Sequence, residues 1–181
     1  PLCAALATCR DVDALLAPLP PVVSPERNRT LGQAQRHLQT WGGMPELLRL
    51  DDGERVEWLR SYETTYLERD LGDLARLADL APFHKFQRLA ALRSGGMLSY
   101  AELAKDAGLS PDTARRYLEY LRLSYQAFTL PPYHVNLTSQ VVKTPKCYWA
   151  DMGLLRHLIR QPGEMTGELF ETLVVSELYK W

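Results

Sequence analysis

The sequence contains few cysteines and no long apolar run. Its 181 residues include three cysteines, Cys3, Cys9 and Cys147, which have neither CxxC spacing nor a nearby histidine. That spacing argues against a zinc site and indicates reduced, mostly buried thiols. No apolar run approaches the roughly 20 residues of a membrane span, and Asp11 and Asp13 interrupt the N-terminal stretch that comes closest to a signal core. We therefore expect a cytoplasmic protein without a membrane partner.

The sequence also lacks an excess of charge of either sign. It has 21 Lys and Arg residues against 22 Asp and Glu residues, which gives a formal net charge of −1. A chain without net positive charge has no general attraction for nucleic acid, so any nucleic-acid surface must be a local patch. The composition, 46% hydrophobic and 24% charged, is that of a globular protein.

Several catalytic signatures are missing as well. No GxxxxGK[ST] loop occurs to hold nucleotide phosphates, so this stretch is not expected to hydrolyse ATP. The four histidines are scattered, without HExxH spacing and without a neighbouring serine or cysteine nucleophile arrangement. Asp151, in WADMGLL, fits the cap of a following helix better than acid–base chemistry. We expect neither catalysis nor a bound cofactor or metal in the chain itself.

Most of the sequence has helical periodicity. After a proline-rich opening, Thr30 stands three residues before Gln33, which is the spacing of a capping box. This predicts a helix that starts there, runs through Trp41 and stops at Gly42 and Gly43. Further helical patterns follow, and the last of them, TGELFETLVVSELYK, carries apolar residues that we expect on one face.

The stretch LSYAELAKDAGLSPDTARRYLEYL predicts a helix-turn-helix. Ser99 is placed to cap the first helix, and Gly108 suits the left-handed residue that closes it. Ser110 then caps the second helix, with Pro111 at its first position, where the missing amide hydrogen costs nothing. Two β-type segments, SYQAFTL and VVKTPKCYWA, come next, so the order of elements is that of a winged helix-turn-helix.

The second helix of the pair is a candidate recognition helix. Arginine reads guanine edges and phosphates, and small polar residues fix the position of such helices on DNA. The candidate DNA-binding residues on this helix and beside the second wing strand are Thr113, Arg115, Arg116, Arg122, Lys143 and Lys146. Asp112 and Glu119 dilute the patch, and Tyr117 and Tyr120 on the same side suit a protein interface equally well. DNA contact and protein contact therefore both stay open.

Six motifs, taken in order, connect the chain to a known family. They are GGMPELL (42–48), TYLERDL (65–71), the helix pair described above, LPPYHVN (130–136), KTPKCYWADMGLL (143–155) and GELFETLVVSELYK (167–180). In order and spacing they resemble a large family of predicted bacterial and archaeal AAA-class ATPases with a C-terminal domain of unknown function. The resemblance covers roughly residues 31–181.

The resemblance implies a domain organisation. In that family a P-loop ATPase core precedes a helical lid, a winged helix follows, and the C-terminal domain resembles a PD-(D/E)xK nuclease. The expected fold is mainly α: a helical lid-type region over 1–80, a winged helix-turn-helix with a small antiparallel β ribbon over 81–150, and the helical start of a truncated third domain over 151–181. The chain opens at Pro1, and we expect it to be a piece of a larger protein that uses ATP and Mg²⁺.

The resemblance also suggests two site residues. Arg69, in YLERD, is a candidate nucleotide sensor, although pairing with Asp70 or Glu68 on a helix surface explains it as well. Glu171, in LFETLVV, resembles the acidic residue on the opening helix of nuclease-like folds. One carboxylate does not make a metal site, so cleavage by this chain is not expected.

The sequence therefore supports three alternative functions. The first is a non-catalytic portion of an AAA-class ATPase whose winged helix contacts double-stranded DNA. The second is a protein-interaction or intramolecular regulatory module that contacts other domains of the parent chain or a protein partner. The third is a remnant of a structure-specific nuclease. Apolar faces on the last helices further predict pairing between copies of the chain as a homo-oligomer.

Overall fold

The computed structural model describes residues 24–66, 80–132, 144–161 and 163–180. The chain divides into two compact units, residues 1–35 and 36–181. In the first unit, the described residues belong to the start of the first helix. All candidate sites considered below lie in the second unit. The predicted domain boundaries at residues 80 and 150 stay predictions.

Helices make up most of the described chain, which confirms the predicted mainly α fold. The helices are α1 (Pro25–Trp41), a 3₁₀ helix (Pro45–Arg49), α2 (Asp52–Tyr66), α3 (Ala81–Ala91), α4 (Tyr100–Ala107), α5 (Pro111–Leu123), α6 (Met152–Ile159) and α7 (Gly167–Tyr179). None of these helices is both long enough and apolar enough to cross a membrane.

The predicted two-stranded ribbon is also present. Strands β1 (Ala127–Leu130) and β2 (Lys146–Trp149) pair antiparallel, with Ala127 opposite Trp149 and Leu130 opposite Lys146. The segment after α3 continues the ribbon at the other edge of β2, where Met97 bridges Lys146. Residues 133–143, which include Lys143 and lie between the strands, are outside the described part of the chain.

Local capping chemistry forms the helix pair α4–α5 as predicted. The Ser99 hydroxyl accepts a hydrogen bond from the amide of Glu102, and the Ser110 hydroxyl accepts one from the amide of Thr113. Gly108 ends α4 in the left-handed conformation, with φ of 74°. Nothing lies within 4 Å of the position that a Cβ on Gly108 would take, so the backbone conformation alone favours glycine there.

The predicted start of α1 at Thr30 is wrong. The helix begins at Pro25, after Ser24, whose hydroxyl accepts a hydrogen bond from the amide of Arg27. Proline suits the first turn of a helix, so this pair sets an earlier start than the Thr30–Gln33 spacing suggested. Thr30 lies inside the helix, where its hydroxyl donates to the carbonyl of Glu26. The predicted end at Trp41 is confirmed.

One hydrophobic core joins α3, α4 and α5 to the ribbon and to both C-terminal helices. Phe83 and Phe86 of α3 lie edge-on to the ring of Tyr117 in α5. Trp149 of β2 and Leu155 of α6 are fully buried in the same core. Because burial of apolar surface is the main stabilising contribution to folding, α6 and α7 are expected to fold together with α3–α5.

A buried polar chain crosses this core. The amide of Trp149 donates to the Ser94 hydroxyl at 2.9 Å, and that hydroxyl lies 3.0 Å from the hydroxyl of Thr172 in α7. Buried polar groups are costly unless they are hydrogen-bonded, so these partners fix the position of α7 against β2.

A close backbone contact, here called the glycine junction, joins the end of α1 to the start of α6. The Asp151 carboxylate accepts the Leu154 amide at 3.0 Å, which confirms its predicted role as the cap of α6. Its other oxygen accepts the amide of Gly43 at 2.8 Å. Gly42 has φ of +77°, and a Cβ there would overlap the Asp151 carboxylate. A Cβ on Gly153 would overlap the carbonyl of Trp41.

The close contact at the glycine junction predicts that a single added methyl group at Gly153 lowers the stability of the chain. Gly153→Ala should destabilise the chain by about 2 kcal/mol or more, because backbone must move to admit the Cβ. Gly167→Ala, at the start of α7, is the control, since nothing lies within 4 Å of its Cβ position. Its effect should stay within about 0.5 kcal/mol. Urea unfolding measures both values, and equal stabilities of the two variants would contradict the described packing.

Candidate functional site

The exposed side of α5 carries the predicted DNA-binding residues. Ala114, Leu118 and Leu121 are buried in the core. Arg115, Arg116 and Arg122 are exposed on the opposite side, as the sequence predicted, and the partly buried Thr113 lies at the N-terminus of the helix. The helical spacing of the core residues therefore determines that these guanidinium groups point to solvent.

Two tyrosines of α5 were predicted on the exposed side, and for Tyr117 this is wrong. Tyr117 is buried, with 5% of its surface exposed. Its position three residues after Ala114 places it on the core face, where the rings of Phe83 and Phe86 hold it. Tyr120 is partly buried and packs at the edge of the core.

The three arginines are held only weakly. The Arg115 guanidinium lies over the ring of Tyr100, 5.3 Å from its centroid. Arg122 pairs with Glu119 at 2.8 Å, but both side chains are about half exposed, and such surface pairs contribute little stability. Within the part of the chain that the structure describes, the Arg116 side chain has neither an ion pair nor a hydrogen bond. Arg115 and Arg122 can therefore exchange their present partners for a phosphate at small cost, and Arg116 has no described partner to give up.

Lys146 lies in a different environment from the three arginines. Its ammonium group donates to Glu171 at 2.6 Å, and the hydroxyl of the buried Tyr148 donates to the same carboxylate oxygen at 2.6 Å. The hydrogen bonds from Lys146 and Tyr148 lower the pKa of Glu171. Burial, together with the neighbouring carboxylate, raises the pKa of Tyr148. This cluster joins β2 to α7, and contact of Lys146 with DNA would require release of Glu171.

The remaining predicted site residues are Glu171, Arg69 and Lys143. In the described ranges, no group of three or more His, Cys, Asp or Glu residues is placed to hold a metal ion. Arg69 and Lys143 lie outside the described residues. Glu171 is engaged by Lys146 and Tyr148, as described above.

The last helix has two apolar faces instead of the single face that the sequence predicted. Leu169 is buried in the core and Leu173 packs against it. Phe170, Val174 and Leu178, spaced four residues apart, are exposed by 53%, 40% and 68%. These three residues form the exposed apolar face of α7.

A large cleft that the sequence did not predict lies between α2, α3 and α6, beside the end of α1. Its volume is ≈ 1250 Å³. Among the described residues, its charged lining consists of five cationic residues and one carboxylate: Arg60, Lys85, Arg88, Arg156, Arg160 and Glu63. Its apolar lining consists of Trp41, Val56, Leu89, Leu92 and Leu158. This cleft is called the cationic cleft below.

Glu63 is bound by two histidines inside the cationic cleft. Nε2 of His157 donates to one carboxylate oxygen at 3.1 Å, and Nδ1 of His84 lies 3.5 Å from the other. The hydrogen bond from His157 holds the pKa of Glu63 below its ordinary value, against the opposing effect of burial. The three residues come from α2, α3 and α6, so this cluster ties the three walls of the cleft together.

Arg156 is the most buried cation of the cleft, with 9% of its surface exposed. One terminal nitrogen donates to the carbonyls of Gln161 and Gly163, both at 3.0 Å. Nε has no hydrogen-bond partner among the described residues. Burial lowers the pKa of this guanidinium. A buried donor without a partner is rare in proteins and identifies a position where an acceptor is expected.

Sequence reasoning missed this cleft because its residues are far apart in the chain. The available signal was local: in HKFQR (84–88) and in RHLIR (156–160), basic residues alternate with apolar residues at helical spacing. Each pattern alone is typical of an exposed helix surface. Only the packing of α6 against α2 and α3 brings the two patterns to one cleft.

Comparison with known proteins places the chain in a family. Residues 32–164 match the family described as "Domain of unknown function (DUF8612)". "Uncharacterized protein Rv2008c" of Mycobacterium tuberculosis and "Uncharacterized protein Mb2031c" of Mycobacterium bovis are each 34% identical over 119 residues. These residues cover 65% of this chain and only 27% of each relative. No solved structure was found to match.

The Glu63 cluster predicts a pH-dependent contribution to stability. Because the pKa of Glu63 is lower in the folded chain than its ordinary value of 4.5, its contribution is present above pH 4.5 and is lost as pH falls through the folded value. Glu63→Gln should therefore lower the free energy of unfolding by roughly 1–2 kcal/mol at pH 6. The difference from the unmodified chain should shrink as pH falls below 4.5.

Urea unfolding between pH 3 and pH 7 measures this difference. Glu57→Gln is the control on the same helix, because Glu57 forms an exposed pair with Arg60. Its effect should stay below about 0.5 kcal/mol. A Glu63→Gln difference that does not change with pH would contradict the proposed role of the two histidines.

Proposed function

We propose that this chain, which belongs to the family described as Domain of unknown function (DUF8612), is a non-catalytic portion of an AAA-class ATPase that contacts duplex DNA through α5. One observation carries the proposal. Arg115, Arg116 and Arg122 are exposed along one side of a capped helix whose other side is anchored in the core.

The physical requirements of a recognition helix support the proposal. Such a helix needs a rigid attachment, a solvent-exposed side and cations that can leave their partners. Ser110 and Pro111 fix the start of α5, and Leu118 and Leu121 bury its inner side. The exposed arginines are restrained only by a ring contact and an exposed ion pair. Contact with phosphates would then release counterions and produce affinity that depends on salt.

The ATPase part of the proposal concerns a longer protein. Its support is the resemblance of six sequence motifs to AAA-class ATPases. By that resemblance, residues before 81 would form a helical lid next to a nucleotide site. The chain spans 27% of the length of its curated mycobacterial relatives. ATP and Mg²⁺ would bind to the parent protein, and Arg69 remains the candidate residue for sensing the nucleotide.

The second candidate function is a protein-interaction or regulatory module, and one observation favours it. Phe170, Val174 and Leu178 form the exposed apolar face of α7. Exposed apolar faces of this kind are typically buried against a protein partner or a second copy of the chain. A nuclease remnant has less support, because the Glu171 carboxylate is engaged by Lys146 and Tyr148. The two leading candidates differ in which helix mediates binding, α5 or α7.

The DNA proposal predicts a salt-dependent affinity that α5 controls. A 20-base-pair duplex should bind the chain with an affinity that falls steeply with salt. The Arg115→Ala, Arg116→Ala double variant should weaken binding by about tenfold or more. It should also make the slope of log K against log salt shallower by about 2, because two phosphates would no longer be neutralised. Fluorescence anisotropy at several salt concentrations measures both quantities.

The charge-matched control is the Arg36→Ala, Arg49→Ala double variant. Both residues are exposed, and they lie on α1 and on the 3₁₀ helix, away from α5. This variant should change affinity less than about twofold and leave the slope intact. Undetectable binding by the unmodified chain, binding insensitive to salt, or equal losses in the two double variants would refute the DNA proposal.

A further inference from the structure

We propose that the cationic cleft binds the phosphoryl groups of an anionic ligand, at a site separate from the DNA-contacting face of α5. The shared chemistry is the phosphate group, which could belong to a free phosphorylated molecule or to a nucleic-acid backbone. The site consists of Arg60, Lys85, Arg88, Arg156 and Arg160 around a cavity of ≈ 1250 Å³.

The charge of the lining is the first argument. Five cationic side chains and one carboxylate line this cleft, whereas the whole chain has a formal net charge of −1. Positive charges gathered at one cleft repel each other, and a bound anion relieves that repulsion. Arginine is also the residue that best matches the geometry of phosphate oxygens.

The available hydrogen-bond donors are the second argument. Lys85, Arg88 and Arg160 are exposed, and their side chains have no ion pair or hydrogen bond within the described ranges. Arg60 pairs only with the exposed Glu57. Arg156 has only 9% of its surface exposed, and its Nε has no partner in the described part of the chain. Lys85, Arg88 and Arg160 can therefore donate to phosphate oxygens without first breaking a bond to another described residue.

The carboxylate that lines the cleft in the described part of the chain already has hydrogen-bonding partners. Glu63 accepts a hydrogen bond from His157 and lies beside His84, and within the described ranges its carboxylate forms no ion pair with a lysine or arginine. Among the described residues, the lysine and arginine side chains of the cleft therefore outnumber its carboxylate, and Lys85, Arg88 and Arg160 are without an ion pair.

The apolar wall specifies the rest of the ligand. Trp41, Leu89, Leu92 and Leu158 line the cavity beside the cations. A pocket that combines apolar surface with a few convergent charges is typical of sites for small molecules, and its volume exceeds the roughly 300–1,000 Å³ of most such sites. We therefore assign to the cleft a ligand that carries an apolar or ring-containing part next to its phosphoryl groups.

The two sides of α3 separate this site from α5. Phe83, Phe86 and Ala90 are buried toward the core that contains α5, whereas Lys85 and Arg88 line the cleft. Removal of cations from the cleft therefore leaves the α5 face unchanged. Failure of the cleft proposal and failure of the DNA proposal can be distinguished experimentally.

The test uses inorganic tripolyphosphate and the 20-base-pair duplex as two probes of the 181-residue chain. Calorimetry should detect binding of tripolyphosphate, and the Lys85→Ala, Arg88→Ala variant should weaken it by about tenfold or more. The Arg36→Ala, Arg49→Ala and Arg115→Ala, Arg116→Ala variants should bind it within about twofold of the unmodified chain.

A further variant distinguishes loss of binding from loss of folding. Arg160 ends α6 with φ of 54°, a left-handed conformation that favours glycine, and its side chain lines the cleft. Arg160→Gly removes the charge and relieves the backbone strain, so the chain should keep or gain stability while it loses affinity for tripolyphosphate. A stable Arg160→Gly variant with unchanged affinity would contradict the proposal.

Measurements with the duplex probe identify the source of the phosphate. If Lys85→Ala, Arg88→Ala also weakens duplex binding, the cleft takes a nucleic-acid backbone, and if only tripolyphosphate binding weakens, it takes a free phosphorylated molecule. Both outcomes support the site. Absence of tripolyphosphate binding at millimolar concentration, or equal losses in the cleft variant and both control variants, would overturn it.

Discussion

The arrangement of the second unit depends on one carboxylate, that of Asp151. It caps α6 through the Leu154 amide and, with its other oxygen, holds the amide of Gly43 just after α1. A Cβ on Gly153 would overlap the backbone carbonyl of Trp41, and a Cβ on Gly42 would overlap the Asp151 carboxylate. A charge-assisted hydrogen bond and two glycines therefore join two segments of the chain, and the bonded residues, Gly43 and Asp151, lie 108 positions apart in the sequence.

The glycine junction also positions both candidate surfaces. It places Trp41 at one wall of the cationic cleft. It also fixes the start of α6, and Arg156 and His157 of that helix form another wall. The same α6 packs on α3, and α3 supports α5 through Phe83, Phe86 and Tyr117. Binding at the cleft and contact at α5 would thus share α3 as a common rigid support, with one site on each of its sides.

Local signals in the sequence predicted part of this structure, and distant contacts account for the rest. The caps at Ser99, Ser110 and Asp151 and the stop at Gly108 could be predicted because each depends on neighbours within a few residues. The exposure of Arg115, Arg116 and Arg122 followed from helical spacing. The Glu63–His84–His157 cluster could not be predicted, because its members come from three helices that only tertiary packing brings together. The pairing of Lys146 with Glu171 was missed for the same reason.

The most direct test of this account is amide hydrogen exchange in an Asp151→Ala variant. The amides of Gly43 and Leu154 both donate to the Asp151 carboxylate, whereas the amide of Trp149 donates to Ser94. The account predicts that Gly43 and Leu154 lose protection together, by about tenfold or more, while Trp149 keeps its protection. Unchanged protection of Gly43 in the variant would contradict the claim that this carboxylate joins the end of α1 to α6.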